Sequence, residues 1–481
     1  VAGAGRDVID APGILASLAL GDSGVRPRAG AVVSVRPYPF PYRAAFALNN
    51  DVDSMSREAF EDWHGFVSGR GPTAYGSGLG LEVGDSFWVW AGPPNILALH
   101  RCYPDEAAPP DSPDLPRIVE LSRAGWLDTL HSLGNWRPPP NGDRSRLGLR
   151  SEAQYALDKL DRLGLRPRVY VNHSSSPSNV GAIWGTYQRA DDPEHPLYCM
   201  DLYRAFGFRY YWVDAATSLD KFGDHLAFRG DAELRARIDG FKWVDWLRKE
   251  GKGPDDDPPR LPAAEADLRR LLTAAFNETI VPVAARDGVD ILAFKRYRGQ
   301  QLPSSTTFPT QVTARDLDDL EARGGTVIVY QHFGVTTLRG RAKSKRAGAN
   351  GRAAPPVLDE HALALWRDIA ERRDAGRLFV ATTERLLDWL WRRDRLEITL
   401  ERSPDQWRVR LGTLRCPVLG DHTLGPADLN GFALLIPGNA PEVSVADAGG
   451  RVLSLRREPD PAHPGRHALY RPWEALEWIP P

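Results

Sequence analysis

Apolar positions fall into two textures along the chain. Up to about residue 392, runs of β-branched, aromatic and alanine residues end in polar ones: "RAAFALNND", "DSFWVW", "GWLDTLHS", "RPRVYVNHS", "FRYYWVD", "VDILAFKRY" and "TVIVYQHFG". Near-continuous apolarity means burial on both faces, the mark of parallel strands covered by helices. Between them, "SREAFEDWHGFVS", "SEAQYALDKLDRLG", "DAELRARIDGFKWVDWLRKEG", "ARDLDDLEARGG" and "DEHALALWRDIAERRDAG" repeat apolar residues three and four apart and read as amphipathic helices. Strand and helix in alternation predict an α/β fold, a distorted (β/α) barrel of about seven strands. No GxGxxG opens the first helix, which argues against an open dinucleotide-binding sheet.

After "LFVATTERLLDWLWRRDR" the pattern shortens to "LEITLE", "QWRVRLG", "GFALLIPG" and "EVSVADAGGRVLSLRRE", separated by Gly, Pro and Asp turns, which predicts a small all-β domain. The expected organisation is an N-terminal extension over 1–40, a catalytic barrel over 41–392 and a β-sandwich-like accessory domain over 393–481. Two loops are long, "GKGPDDDPPRLPAAEAD" and the basic "RAKSKRAGANGRA" from Arg341 to Ala353. The second follows a strand end and is expected to hang over the site and contact substrate.

Charge removes some partners. With 61 Lys and Arg against 63 Asp and Glu, the chain has no field to attract nucleic acid or an anionic membrane. No apolar run reaches about eighteen residues, so no membrane span is expected. "GILASLALG" is too short, and lacks the basic flank, for a signal peptide. A soluble chain is expected, either cytoplasmic or exported with its signal removed. Cys102, Cys199 and Cys416 are odd in number and widely spaced, which makes neither a disulfide framework nor a metal motif. Fifteen Trp and fourteen Tyr suit stacking on sugars and equally suit a large core, Trp407, Tyr470 and Trp473 included.

The chemistry collects at the polar ends of the strands, where a parallel barrel places its active site. These ends supply Asp51 and Asp53; Asp128, His131 and Asn135; Asn172 and His173; Asp214; and Gln331 with His332. If the strand persists, Asp51 and Asp53 point to one face, which is unfavourable unless a cation sits between them or one pKa is displaced. A solvated turn capping the next helix is the plain alternative. One Asp with two imidazoles and an open position is the donor set of a catalytic zinc centre. The second Asp then serves as base, and a further imidazole stabilises the intermediate or protonates the leaving group.

In this order the strand ends resemble the polysaccharide deacetylase family, the NodB-homology carbohydrate esterases, over about residues 40 to 390. The resemblance implies a divalent metal, zinc, and removal of acetyl groups from an N-acetylated or O-acetylated sugar or polysaccharide. "NDVD" then makes Asp51 the base and Asp53 a ligand. "HSLGN" resembles the His-Ser-x-x-His motif, making His131 a ligand but placing Asn135 where the second imidazole is expected. An amide is a poor zinc ligand, so His173 in "YVNHSSS" is expected to take that place. "RPRVYVN" resembles the Arg and aromatic motif, which makes Arg168 the partner orienting Asp51, and "VYQHFG" makes His332 the catalytic acid. Asn135, Arg168, Asn172, Asp214 and Gln331 are expected to bind substrate or support the ligands. Two other functions fit the residues. A glycoside hydrolase pairs Asp51 or Asp53 with Asp214 and survives chelation. A non-catalytic carbohydrate-binding protein on the same barrel, suggested by Asn135, holds no metal.

Overall fold

The computed structural model describes residues 32–53, 55–92, 97–104, 109–134, 149–173, 176–181, 189–212, 216–217, 279–297, 304–333 and 358–481. The apolar runs form parallel strands: β1 (Ala44–Asn50), β2 (Gly84–Trp90), β3 (Leu127–His131), β4 (Val169–Val171), β5 (Tyr210–Trp212), β6 (Asp290–Phe294), β7 (Arg296–Tyr297) and β8 (Thr326–Gln331). Their order is β7-β8-β1-β2-β3-β4-β5-β6, every neighbouring pair parallel. The two ends of that order, β6 and β7, are separated in the chain by Lys295 alone. One stretch of chain therefore borders both edges, and the sheet is a nearly closed barrel.

Between and after the strands lie α1 (Arg57–Val67), α2 (Leu115–Arg123), α3 (Arg150–Arg162), α4 (Met200–Phe206), α5 (Ala314–Arg323), α6 (Glu360–Asp374) and α7 (Thr383–Arg395), of which α1, α3, α5 and α6 match the predicted amphipathic stretches. Ser56 caps α1 by accepting from the Ala59 amide at 3.1 Å, satisfying one of the donors a helix start leaves open. The stretch 231–251, expected to be helical, and both segments expected to be long loops lie outside the described residues.

Along β1 the period of two divides the core. Ala44, Phe46 and Leu48 pack with Trp63, Trp366 and the other helical side chains. Ala45 and Ala47 pack instead with Val169, Val171, Tyr210, Leu292, Phe294 and Ile328 of the other strands. Continued for two residues, that second face carries Asn49 and then Asp51.

Beyond α7 lie two small sheets. Leu396–Arg402, Gln406–Leu414 and His422–Thr423 pair antiparallel, and Glu442–Ala446 adds to the second of these in parallel. The other sheet is antiparallel throughout and includes Ser34–Val35 against Ala433–Pro437, so chain from before the barrel joins it. These sheets share a core with the barrel, where Leu411, Leu434 and Val445 cluster with Leu387 and Trp391 of α7. Trp473 donates to Glu82 at 3.2 Å under the Arg385 guanidinium, and Tyr470 lies 4.3 Å from Phe40. Both aromatic rings are packing residues. All three cysteines are buried and free, and no helix among the described residues is long and apolar enough to cross a membrane.

Candidate metal centre

Five side chains converge at the C-terminal ends of the barrel strands. Asp51 and Asp53 follow β1, His131 ends β3, His173 follows β4 and His332 follows β8. Parallel pairing of β8 with β1 brings the Asp51 amide to the Gln331 carbonyl at 2.8 Å, which sets Asp51 beside His332. Ser132, directly after His131, is in the left-handed region at φ 50°, a conformation a non-glycine residue rarely holds away from a functional site. Its hydroxyl meets those of Ser176 at 3.4 Å and Ser178 at 3.2 Å. The loops after β3 and β4 are thereby tied together, and with them His131 and His173.

Nε2 of His131 and Nδ1 of His173 are 2.7 Å apart. Asp53 places Oδ1 3.9 Å from the first and Oδ2 3.9 Å from the second. One ligand atom from each of Asp53, His131 and His173 lies within 4.8 Å of the others. Asp53 Oδ1 is buried and has no hydrogen-bond partner among the described residues. Such an atom is costly unless a cation completes it. A carboxylate oxygen and two imidazole nitrogens are the three-ligand set of a catalytic zinc site, so these residues fit a divalent metal. Trp88 packs against both imidazoles, 4.3 Å from His131 and 4.4 Å from His173.

Asp51 is braced by a residue that sequence reasoning missed. Arg296 Nη1 donates to Asp51 Oδ1 at 2.9 Å and to Asn49 Oδ1 at 2.5 Å, and Nη2 reaches Asp51 Oδ2 at 3.4 Å. Its guanidinium carbon lies 3.4 and 3.9 Å from the ring centroids of the neighbouring Trp212 and Tyr330, a buried cation–π arrangement. Arg168, expected in this role, is corrected to the other end of the barrel. It precedes the first residue of β4, whereas His173 follows the last. There Arg168 binds Glu384 at 2.6 Å and Asp388 at 2.7 Å.

Of the supporting residues, Asn172 brackets the loop carrying His173, giving its amide to the Val180 carbonyl at 2.9 Å and accepting from the Val180 amide at 3.1 Å. Gln331 accepts from the His332 amide at 3.1 Å and donates to Gln311. Both therefore act on the backbone that presents a site histidine. Asn135 and Asp214 lie outside the described residues, as does the loop from Arg341 to Ala353. Asp128, although on β3, faces the opposite end and accepts from the Glu384 amide at 2.8 Å.

Electrostatics separate the groups. Burial pushes the Asp51 carboxyl up, but Arg296, His131 and His332 outweigh it and hold it well below the usual range. Asp53 is likewise lowered, its burial outweighed by His173, His131 and His332. Burial brings His173 down to about 4 despite Asp53 beside it. His332 is lowered by burial too, against the pull of Asp53 and Asp51, whose Oδ2 atoms lie 3.9 and 3.7 Å from its Nε2. Two ionised carboxylates thus face the neutral imidazoles of His173 and His332 near pH 7, and a neutral imidazole is what a metal requires of a histidine ligand such as His173.

No family model, no curated protein and no solved structure matches this chain.

Proposed function

We propose that this chain is a metal-dependent hydrolase on a NodB-like barrel, removing an acetyl group from an N-acetylated or O-acetylated sugar or polysaccharide. The observation that carries it is the orphaned Asp53 Oδ1, buried against two imidazole nitrogens with His332 alongside. Asp53, His131 and His173 would hold the ion, zinc by donor type, and when bound it supplies a Lewis acid that acidifies water and polarises a carbonyl.

The chain's own groups handle the proton. His332, neutral near pH 7, accepts one at Nε2 from the attacking water, with Asp51 and Asp53 stabilising the imidazolium. It returns that proton to the sugar nitrogen or oxygen as the bond to the acetyl carbon breaks. Asp51, held low by Arg296, has little affinity for a proton, so the role of base shifts from Asp51 to His332. Neither Asp51 nor Asp53 suits the acid of a glycosidase, which needs a raised carboxyl pKa where both of these are lowered.

The test is to measure metal in the purified protein and acetate released from a panel of acetylated mono- and oligosaccharides, before and after chelation. Release that stops on chelation and returns with zinc supports the proposal. Metal-free protein that still cleaves glycosidic bonds rejects it.

A further inference from the structure

We propose that Asp51 is a positioning residue for metal binding, whose Oδ1 fixes His131 in the one tautomer that can ligate. This inference rests on the metal-site reading above. His131 turns Nε2 toward His173 and Asp53. Its other nitrogen, Nδ1, lies 3.0 Å from Asp51 Oδ1 and 3.2 Å from the Ser86 hydroxyl. Asp51 Oδ1 accepts from the Arg296 guanidinium at 2.9 Å, and an unprotonated Nδ1 facing that oxygen would set lone pair against lone pair. Nδ1 therefore carries the hydrogen and donates it to Asp51, which leaves the Nε2 lone pair facing inward. A carboxylate behind a ligating histidine orients the ring and raises its basicity.

Arg296 completes the device. It binds the same Oδ1 at 2.9 Å and is itself locked by Asn49, Trp212 and Tyr330. Asp51 is thus held in place behind the His131 ring. The same logic assigns His173. Without an ion, a 2.7 Å contact to an Nε2 lone pair requires His173 to donate from Nδ1. To ligate through Nδ1, His173 must move that hydrogen to Nε2. One ligand is preset and the other switches.

The experiment uses the full chain, stripped with a chelator, with nitrogen-15 in its histidines and resonances assigned from His131→Gln and His173→Gln. His131 should be protonated on Nδ1 with and without zinc, while His173 should change from Nδ1–H to Nε2–H on zinc addition. In competition against a chromophoric chelator, Asp51→Asn and Asp51→Ala should bind zinc about 10- to 100-fold more weakly than the parent. His332→Ala, equally close but not a ligand, should stay within about threefold. If His131 carries its hydrogen on Nε2 in the parent, the assignment of Asp51 is overturned, even where the Asp51 variants fail to fold. Parent-like zinc affinity in folded Asp51 variants overturns it as well, and leaves the metal site standing. A parent that binds no zinc overturns both.

Discussion

The two ends of the barrel each bury charge, and they manage it in opposite ways. At the N-terminal end, Arg168 joins Glu384 and Asp388, the Tyr210 hydroxyl donates to Asp388 at 2.9 Å, and Asp128 accepts from the Glu384 amide. Asp128 Oδ1 is buried without a hydrogen-bond partner, as Asp53 Oδ1 is. Burial, with Glu384 and Asp85 nearby, pushes the Asp128 carboxyl well above its ordinary value. That environment favours the protonated, uncharged form. Asp53 is surrounded by imidazoles, stays ionised and keeps its orphaned oxygen. An unpartnered buried carboxyl is thus resolved by neutralisation at one end and left as an anion at the other, and only the anion calls for a cation.

The largest expected effect separates turnover from binding. His332→Ala should lower kcat for the acetylated substrate about a hundredfold or more, the usual cost of a lost acid or base, with zinc content unchanged. Steady-state kinetics and metal analysis on one preparation check it, and a simultaneous loss of zinc would make His332 a ligand.

At the other end, Arg168→Ala leaves Glu384 and Asp388 without their cation. With a third of the Arg168 side chain exposed, the expected loss is about 2 kcal/mol of unfolding free energy. Denaturant titration reads it, and zinc affinity should not move. A change in zinc affinity would join two clusters that are separate here.

Acid should act on the site first. His173 is lowered from 6.5 to about 4, so between those values the unfolded chain binds a proton that the folded chain refuses. Stability of the metal-free protein therefore rises with pH across that window and is lost as pH falls through it. Because 17% of the side chain is exposed, the loss should be on the order of 2 kcal/mol. His173→Gln should flatten that limb of the stability curve. An unchanged limb would remove His173 as its source.

The smallest effect is the sharpest contrast. Asp128→Asn puts a neutral group of similar shape where burial favours the uncharged acid and should change stability by under about 1 kcal/mol, with zinc content intact. Asp53→Asn should lose the ion. Comparable loss of zinc in both variants would erase the difference between the two ends.

Much of the site was legible because a strand has a period of two. Once β1 commits Ala45 and Ala47 to the face they share with Val171 and Ile328, Asn49 and Asp51 must follow on that face, as His173 follows Val171 and His332 follows Ile328. The same rule, applied to "DILAFKRY", carries from Leu292 and Phe294 to Arg296. It was missed because two adjacent cations in a strand look like a solvated edge, and nothing local shows that Asn49, Asp51 and two aromatic rings will enclose one of them. Arg168 misled for the complementary reason. A motif read by its spacing gave the right strand, yet the three residues of β4 place Arg168 and His173 at opposite ends. The small sheets beyond α7 were readable as β structure, while the contribution of Ser34–Val35 depends on a pairing across about 400 residues that no local pattern encodes.

The most direct test is the number of zinc ions bound per chain, measured on the chelator-stripped and zinc-reloaded parent beside Asp53→Ala and His173→Ala. One ion per parent chain, and none retained by either variant after desalting, is the expected result. A parent that retains no zinc, or an Asp53→Ala protein that still holds one ion per chain, contradicts a metal centre built on Asp53, His131 and His173.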